Sequence, residues 1–324
     1  MSATEGKVIL LLLKFLSNKL NFSSGHQMPG GCSLEGRGAH DYWSYYFCLN
    51  KLDIKINNIQ NITVDPPKEG EIRVKNVAAG ICASDAHFVW NQETDLKLDF
   101  KGNPVVLGHE GSAVVESIGK GVTGVSVGDP VIPLFIPNCQ KCELCRNPRT
   151  NQCLDANFDT TLYHSNGETR LKINGKPLLT LCGTSTYSEY SVLRASQICK
   201  VSLNQFYPVQ NYSHSHFQFI ITIINVIWFE VNPKLNLKNA CIIGCAVGTG
   251  FGTAQKLAQV HPGSTCAVWG LGAIGLSTAL ACKQSGAKTV IGIDINPDKR
   301  RFAEQFGCSE FIDPRSLSKF NLIS

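Results

Sequence analysis

The stretch CAVWGLGAIGLSTALACKQ at residues 266–284, followed by TVIGID at residues 289–294, decides the fold. A short apolar run, a glycine turn, an apolar helical stretch and a second apolar run follow one another. This order predicts strand, turn, helix and strand. Because the second strand follows a helix, the two strands are expected to pair in parallel as one βαβ unit of an α/β fold.

The glycines of this turn, Gly270, Gly272 and Gly275, have the spacing of a dinucleotide-binding turn. The first glycine makes the tight turn, the second lets the backbone approach a pyrophosphate, and the third allows close packing of helix on strand. Asp294 ends the next strand roughly 20 residues later, where a carboxylate would bind the ribose 2′-hydroxyl of NAD. The alternative is a glycine-rich packing turn without a ligand.

Length and composition restrict the class of protein. The chain has 324 residues, 30 basic and 25 acidic side chains, and 43% hydrophobic residues, which predicts a globular protein of about two domains. The net charge of +5 is scattered along the chain, so no nucleic-acid partner is expected. The apolar run at residues 219–229 is shorter than the roughly 20 residues of a membrane-spanning helix, so no membrane partner is expected either.

Changes in hydrophobic periodicity and residue composition along the chain divide it into four parts. Residues 1–60 show no sustained period and are taken as an atypical, poorly specified segment, whereas residues 61–202 are expected to form a β-rich domain that carries loops. Residues 203–234 form an irregular insert, and residues 235–324 a partial NAD-binding domain. The β-type runs of the second part lie at residues 72–77, 111–118 and 130–135.

Cysteine usage indicates metal binding, because 14 thiols occur in a chain too long to need disulfides. Four of them, Cys139, Cys142, Cys145 and Cys153, are separated by two, two and seven residues. Such spacing lets four thiolates close a tetrahedron around zinc, and four protein ligands make the site structural. An iron–sulfur cluster and plain core thiols are the alternatives. The same usage favours a reducing compartment, the cytoplasm.

Three dispersed residues form a second possible metal site. Cys82, His109 and Cys245 are unremarkable one by one, since lone cysteines and histidines are usually core residues. Together they would give zinc three protein ligands and leave the fourth position for water or substrate. That arrangement is typical of catalytic zinc.

Six motifs are distinctive when they are taken together. They are GICASDAH (80–87), GHE (108–110), the four-cysteine loop, GTSTYSEY (183–190), IGCAVGTGFG (243–252) and GSTCAVWGLGAIGL (263–276). In this order they resemble the zinc-dependent medium-chain alcohol dehydrogenases of animal type. The resemblance covers roughly residues 62–202 and 235–315, with the stretch GKVI at residues 6–9. It implies that residues 61–202 form a GroES-like catalytic and zinc-binding lobe, followed by an incomplete Rossmann-type, doubly wound dinucleotide-binding domain.

The resemblance also implies roles for individual residues. Cys82, His109 and Cys245 are similar to the catalytic zinc ligands, and Ser84 to the hydroxyl that binds the alcohol. The remaining roles fall to residues around that centre: His87 as the outer member of a proton relay, Asp85 and Glu110 as carboxylates that orient the ligands, Phe135 as a wall of the alcohol pocket, Thr249 and Ile274 against the nicotinamide, and Lys299 near the adenosine ribose.

The implied activity is NAD-dependent oxidation of primary or secondary alcohols to aldehydes or ketones, with two zinc ions per chain. A non-catalytic zinc-binding fragment and a glutathione-dependent formaldehyde (S-hydroxymethylglutathione) dehydrogenase are the alternatives. Only three strands of a six-stranded sheet are predicted before Ser324. We therefore expect a truncated domain that lacks the region through which the family forms homodimers.

Overall fold

The structure is a computed structural model that describes residues 3–9, 59–85, 104–147, 150–154, 168–201 and 236–316. Its described residues form a β-rich lobe followed by a parallel α/β unit. The strands are β1 Thr4–Ile9, β2 Ile59–Val64, β3 Glu71–Gly80, β4 Val105–Val106, β5 Glu110–Ile118, β6 Pro130–Pro133, β7 Leu171–Ile173, β8 Lys176–Pro177, β9 Leu179–Thr180, β10 Tyr190–Arg194, β11 Ile198–Lys200, β12 Thr265–Trp269, β13 Thr289–Ile293 and β14 Glu310–Ile312.

The helices are short in the β-rich lobe and longer in the α/β unit. The α-helices are α1 Glu143–Arg146, α2 Leu237–Ala240, α3 Ala246–Gly252, α4 Ala273–Gln284 and α5 Arg300–Gln305. The π-helix spans Thr253–Leu257, and 3-10 turns lie at Ala195–Gln197, Cys241–Gly244, Pro297–Lys299 and Pro314–Ser316.

Two antiparallel sheets build the β-rich lobe, in the orders β1-β2-β7-β8 and β10-β3-β5-β6-β11, and a short parallel pair joins β4 to β9. β-Branched and aliphatic side chains such as Ile72, Val74, Val115 and Leu193 are almost fully buried in the core of the five-stranded sheet. Such side chains suit strands because they pack well on a pleated surface. This sheet brings β3 beside β5, with two register shifts that bend the pair.

The α/β unit is the predicted βαβ unit with one further strand. β12, β13 and β14 pair in parallel in that order, and α4 connects the first two. Its core contains Phe251 from α3, Leu276 and Ala279 from α4, and Val290 from β13. The expected α/β class, a GroES-like lobe followed by a Rossmann-type unit, is confirmed.

Two strands meet across the N-terminal part of the chain. β1 pairs along its whole length with β2, from Thr4 opposite Val64 to Ile9 opposite Ile59. Because β2 runs from residue 59 to residue 64, it crosses the boundary predicted between residues 60 and 61.

The predicted insert at 203–234 lies outside the described residues. Within the described ranges, the structure contains no helix with the length and apolarity needed to cross a membrane.

Candidate active site

Four side chains that could bind a metal converge at the edge of the β-rich lobe. One ligand atom from each of Cys82, His109, Glu110 and Cys245 lies within 4.8 Å of the others. Cys82 follows the end of β3, His109 and Glu110 stand at the start of β5, and Cys245 immediately precedes α3. The structure therefore brings together the three residues that the sequence predicts as catalytic zinc ligands. A carboxylate oxygen of Glu110 also lies within 4.8 Å of their ligand atoms.

The pairing of β3 with β5 creates this convergence, since it places Gly80 opposite Glu110. A Cβ atom on Gly80 would lie 2.3 Å from Oε2 of Glu110. A side chain at position 80 would therefore displace the Glu110 carboxylate from its place in the cluster.

Asp85 holds the two segments that carry the ligands. Its Oδ1 accepts hydrogen bonds from the backbone N–H of Gly108 at 3.0 Å and lies 3.1 Å from Nδ1 of His109. Its Oδ2 accepts from the backbone N–H of Cys82 at 3.3 Å and from the hydroxyl of Tyr187 at 3.1 Å. Since Nδ1 of His109 is occupied by this contact, Nε2 is the ring nitrogen left for a metal.

The electrostatics of the cluster call for a cation. The thiol of Cys245 donates to Cys82 and, against the effect of burial, lowers the pKa of Cys82 to about 3. The same contact, with burial, raises the pKa of Cys245. Burial alone would lower the pKa of His109, but hydrogen bonds to Asp85 and Cys82 raise it to about 10. Burial and the charge of Cys82 raise the pKa of Glu110 to about 7. A divalent cation would stabilise both thiolates at once.

This donor set fits zinc. Two sulfurs and one imidazole nitrogen form a mixed soft and borderline set that zinc prefers over magnesium or calcium. Glu110 adds an oxygen that the sequence analysis expected to orient the ligands. In the structure it is itself near enough to be a fourth ligand.

The second cluster is the four-cysteine loop. The sulfurs of Cys139, Cys142, Cys145 and Cys153 all lie within 4.8 Å of one another. The backbone N–H of Cys142 donates to Sγ of Cys139 at 3.4 Å, and the backbone N–H of Cys145 donates to Sγ of Cys142 at 3.3 Å. Backbone N–H groups lower the pKa of Cys142 to about 6, whereas burial raises that of Cys145 to about 12. Four converging thiols with such backbone donors fit a closed tetrahedral zinc site.

The predicted substrate-binding residues are described in part. Ser84 is exposed on a helical turn that begins just after Cys82, so its hydroxyl is accessible beside the cluster. The ring of Phe135 lies edge-on to His109, with centroids 5.6 Å apart and planes at 82°. Phe135 lies beyond the end of β6 at Pro133, although its run was predicted as β-type up to residue 135. His87, the predicted outer member of the proton relay, lies outside the described residues.

The glycine turn has the geometry of a dinucleotide site. Gly270 has φ +81°, and neither it nor Gly272 has an atom within 4 Å of an added Cβ, so the turn faces open space. In contrast, a Cβ on Gly275 would lie 1.8 Å from the Gly270 carbonyl oxygen, because helix and turn are in close contact there. Asp294 accepts the backbone N–H of Leu271 at 2.7 Å, which fixes its carboxylate beside the turn.

Three further residues were predicted to contact the cofactor, and the structure describes all of them. Thr249 is exposed on α3, and Ile274 is 44% exposed in the first turn of α4. α3 and α4 pack closely, because a Cβ on Gly250 would lie 2.6 Å from the carbonyl oxygen of Ile274. Lys299 is half-buried, with Nζ 5.9 Å from the centre of the Phe302 ring, and burial lowers its pKa.

Tyr187 is a site residue that the sequence analysis missed. Its hydroxyl contacts both Asp85 and the carbonyl oxygen of Gly80. It lies in the motif GTSTYSEY, which carried the resemblance without a role for this residue. A polar aromatic residue among the small residues of positions 183–188 was the available signal.

Comparison with known proteins assigns the β-rich lobe. Residues 68–203 match the family of the alcohol dehydrogenase GroES-like domain. The β-rich lobe therefore contains a domain of this family. Among the curated proteins that the chain resembles is geraniol dehydrogenase of Carpoglyphus lactis, 40% identical over 261 residues, a match that covers 81% of this chain and 61% of the relative. Alcohol dehydrogenase class-3 of Drosophila melanogaster is 38% identical and covers 80% and 60%.

Solved structures of alcohol dehydrogenases agree with this assignment. Benzyl alcohol dehydrogenase of Acinetobacter calcoaceticus superposes with a TM-score of 0.61 at 27% identity, covering 80% of this chain and 61% of that one. The chain spans about three fifths of the length of the curated alcohol dehydrogenases that it matches.

Proposed function

We propose that the protein oxidises primary or secondary alcohols to aldehydes or ketones with NAD, using zinc held by Cys82, His109 and Cys245. The observation that carries the proposal is the convergence of these ligand atoms within 4.8 Å of one another, with Cys245 directly before α3. α3 packs on α4, whose first turn contains Gly275 of the dinucleotide turn. The candidate metal site and the candidate cofactor site therefore share one pair of helices.

The chain's own residues support this chemistry. When bound, zinc would supply a Lewis acid that lowers the pKa of an alcohol hydroxyl, and NAD would supply the hydride acceptor. Ser84, exposed beside Cys82, would accept a hydrogen bond from the alcohol hydroxyl and relay its proton outward by giving up its own, with His87 as the proposed outer member of the relay. Phe135, packed against His109, would exclude water from the reacting atoms. Asp294 would bind the ribose 2′-hydroxyl and disfavour the 2′-phosphate of NADP.

The names of the relatives suggest which alcohols to test first. Relatives include a geraniol dehydrogenase and a benzyl alcohol dehydrogenase, and both names denote primary alcohols with an unsaturated group beside the reacting carbon. We therefore propose geraniol and benzyl alcohol as the first substrates, with a secondary alcohol for comparison.

Metal content, cofactor binding and activity together test the proposal. Purified protein is expected to contain two zinc ions per chain, to bind NADH saturably by fluorescence, and to form NADH when alcohol is added. Cys245→Ser should retain one zinc ion, in the four-cysteine loop, and lose alcohol-dependent NADH formation. Wild-type activity no greater than that of Cys245→Ser would contradict the proposal.

A second candidate is a non-catalytic zinc-binding protein. The observation that favours it is the complete four-cysteine cluster, which depends on no part of the cofactor site. This candidate predicts one zinc ion per wild-type chain and no binding of NADH. The same measurements therefore distinguish the two functions.

A further inference from the structure

The Tyr187 hydroxyl joins both sides of the turn that carries Cys82. It lies 3.2 Å from the carbonyl oxygen of Gly80, two residues before Cys82, and 3.1 Å from Oδ2 of Asp85, three residues after it. A phenol has one hydrogen to donate, and a carboxylate is the stronger acceptor. Asp85 is therefore the principal partner, with Gly80 close enough to share the hydrogen.

The rest of Tyr187 is fixed to the segment that carries His109. Its backbone N–H donates to the carbonyl oxygen of Leu107 at 3.1 Å. Its ring packs so closely on Gly108 that an added Cβ there would lie 2.7 Å from Cδ1 of the ring. Gly108 also has φ +94°, so a side chain at this position is disfavoured on two grounds. Tyr187 therefore links the segments of two candidate zinc ligands.

We propose that Tyr187 is a positioning residue for the metal site, which through Asp85 holds Cys82 and His109 in the arrangement that binds zinc. The proposal rests on the proposed function, since it takes Cys82, His109 and Cys245 as zinc ligands. Tyr187 itself touches none of the reacting groups. It acts by restricting where the ligands can move.

The surroundings of the hydroxyl make its contribution substantial. Asp85 is only 3% exposed, and in such surroundings a hydrogen bond is stronger and its loss more costly than in water. Without the hydroxyl, Oδ2 of Asp85 would keep the longer contact to the backbone N–H of Cys82. Burial raises the pKa of Tyr187, so the phenol remains a donor.

The test is Tyr187→Phe, which removes the hydroxyl and keeps the ring that packs near Leu107 and Leu181. Tyr190→Phe is the matched control, since Tyr190 lies on β10 and packs against a different cluster, around Val64 and Leu171. Zinc release to an excess of a chromophoric chelator is followed at a temperature where both variants are folded. The Cys245→Ser variant identifies the phase that belongs to the four-cysteine loop.

We expect Tyr187→Phe to release the zinc of the Cys82 site roughly 3- to 10-fold faster, less than the 10- to 100-fold typical of residues that contact a ligand directly. The four-cysteine phase and both phases of Tyr190→Phe should match wild type. With cobalt(II) in place of zinc, Tyr187→Phe should also shift the visible absorption of the site. A purely structural role would leave the cobalt spectrum unchanged.

A double-mutant cycle with Asp85→Asn tests the route of the effect. If Tyr187 acts through Asp85, then Tyr187→Phe should add little to the release rate in the Asp85→Asn background. Unchanged zinc release and cobalt spectrum in Tyr187→Phe, with two zinc ions in wild type, would overturn this proposal alone. One zinc ion in wild type would contradict the proposed function and this proposal with it.

Discussion

Gly272 and Gly275 lie three residues apart, yet an added methyl group should lower stability at Gly275 and cofactor affinity at Gly272. At Gly275 it would meet the Gly270 carbonyl oxygen at 1.8 Å, whereas at Gly272 it would point into open space. Gly272 has φ −77° and an extended backbone, which alanine adopts without strain. We expect Gly275→Ala to lower the melting temperature by several degrees. Gly272→Ala should fold normally but bind NADH about tenfold more weakly, because its methyl group would occupy the approach of the pyrophosphate.

Thermal unfolding and fluorescence titration with NADH on both variants check this pair. Each variant is the control for the other, since one changes stability and the other changes affinity. Wild-type affinity in Gly272→Ala would show that the cofactor does not approach the turn at this position.

At the scale of elements, the side chain of Arg73 forms an ion pair within one sheet of the β-rich lobe and a hydrogen bond to the other sheet. Arg73 on β3 donates to Glu116 on β5 at 2.6 and 3.1 Å, and to the carbonyl oxygen of Val64 at the end of β2 at 3.2 Å. The side chain of Arg73 is only 4% exposed and that of Glu116 is 35% exposed. The hydrogen bond from Arg73 holds the pKa of Glu116 below its ordinary value of 4.5.

This pair predicts a specific dependence of stability on pH. Because the folded-state pKa is lowered, the pair stabilises the fold fully above pH 4.5, and its contribution disappears as the pH falls through the lowered value. Glu116→Gln should therefore melt about 2–4 °C below wild type at neutral pH, for a contribution of about 1 kcal/mol. The two proteins should converge as the pH falls below 4.5.

Melting temperatures across the acid range check this prediction. Glu304→Gln is the control, since Glu304 is exposed on α5, and its curve should run parallel to that of wild type. A constant difference between Glu116→Gln and wild type at every pH would assign the effect to packing and not to charge.

For the whole molecule, the parallel sheet exposes one of its strands. Among the described residues, β12 pairs with β13 on one side only, and its last residue, Trp269, is 74% exposed. An unpaired strand edge with apolar side chains is a template for association between chains. We expect wild-type protein to self-associate increasingly with concentration. Ala267→Lys, which places a charge on exposed β12, should reduce this association without changing the melting temperature.

Sedimentation velocity across a dilution series measures the effect. Ala258→Lys adds the same charge at an exposed position outside the sheet, so it controls for net charge. Equal association of both variants and wild type would exclude β12 as the contact.

Much of this molecule was predictable from local sequence, and the exceptions have physical causes. The βαβ unit was predictable because its strands, turn and helix are contiguous. α4 begins at Ala273, inside the predicted glycine turn from Gly270 to Gly275, because Gly275 is a weak helix former that conceals the first turn. β1 was not predicted as a strand, since its partner β2 lies far along the chain and such pairing leaves no local pattern.

The candidate site was predictable in its ligands and less so in their surroundings. Cys82, His109 and Cys245 could be named from motif resemblance, because thiols and imidazoles are distinctive residue types. The hydrogen bonds of the Tyr187 hydroxyl could not be predicted, since they depend on the three-dimensional positions of Asp85 and Gly80. Hydrogen bonds between segments that are far apart in the chain follow from the fold, and no fixed spacing in the sequence predicts them.

The short helix α3 has a consequence for how this chain tolerates changes of length. Cys245 immediately precedes it, and Gly250 within it is seated against α4. Each residue of an α-helix turns the chain by about 100°, so one inserted residue between these positions would rotate Cys245 away from His109 while Gly250 stayed in place. The length of α3 therefore fixes the orientation of Cys245 relative to Gly250. In-frame insertions and deletions should be accepted in the turn at residues 259–264 well before they are accepted within α3.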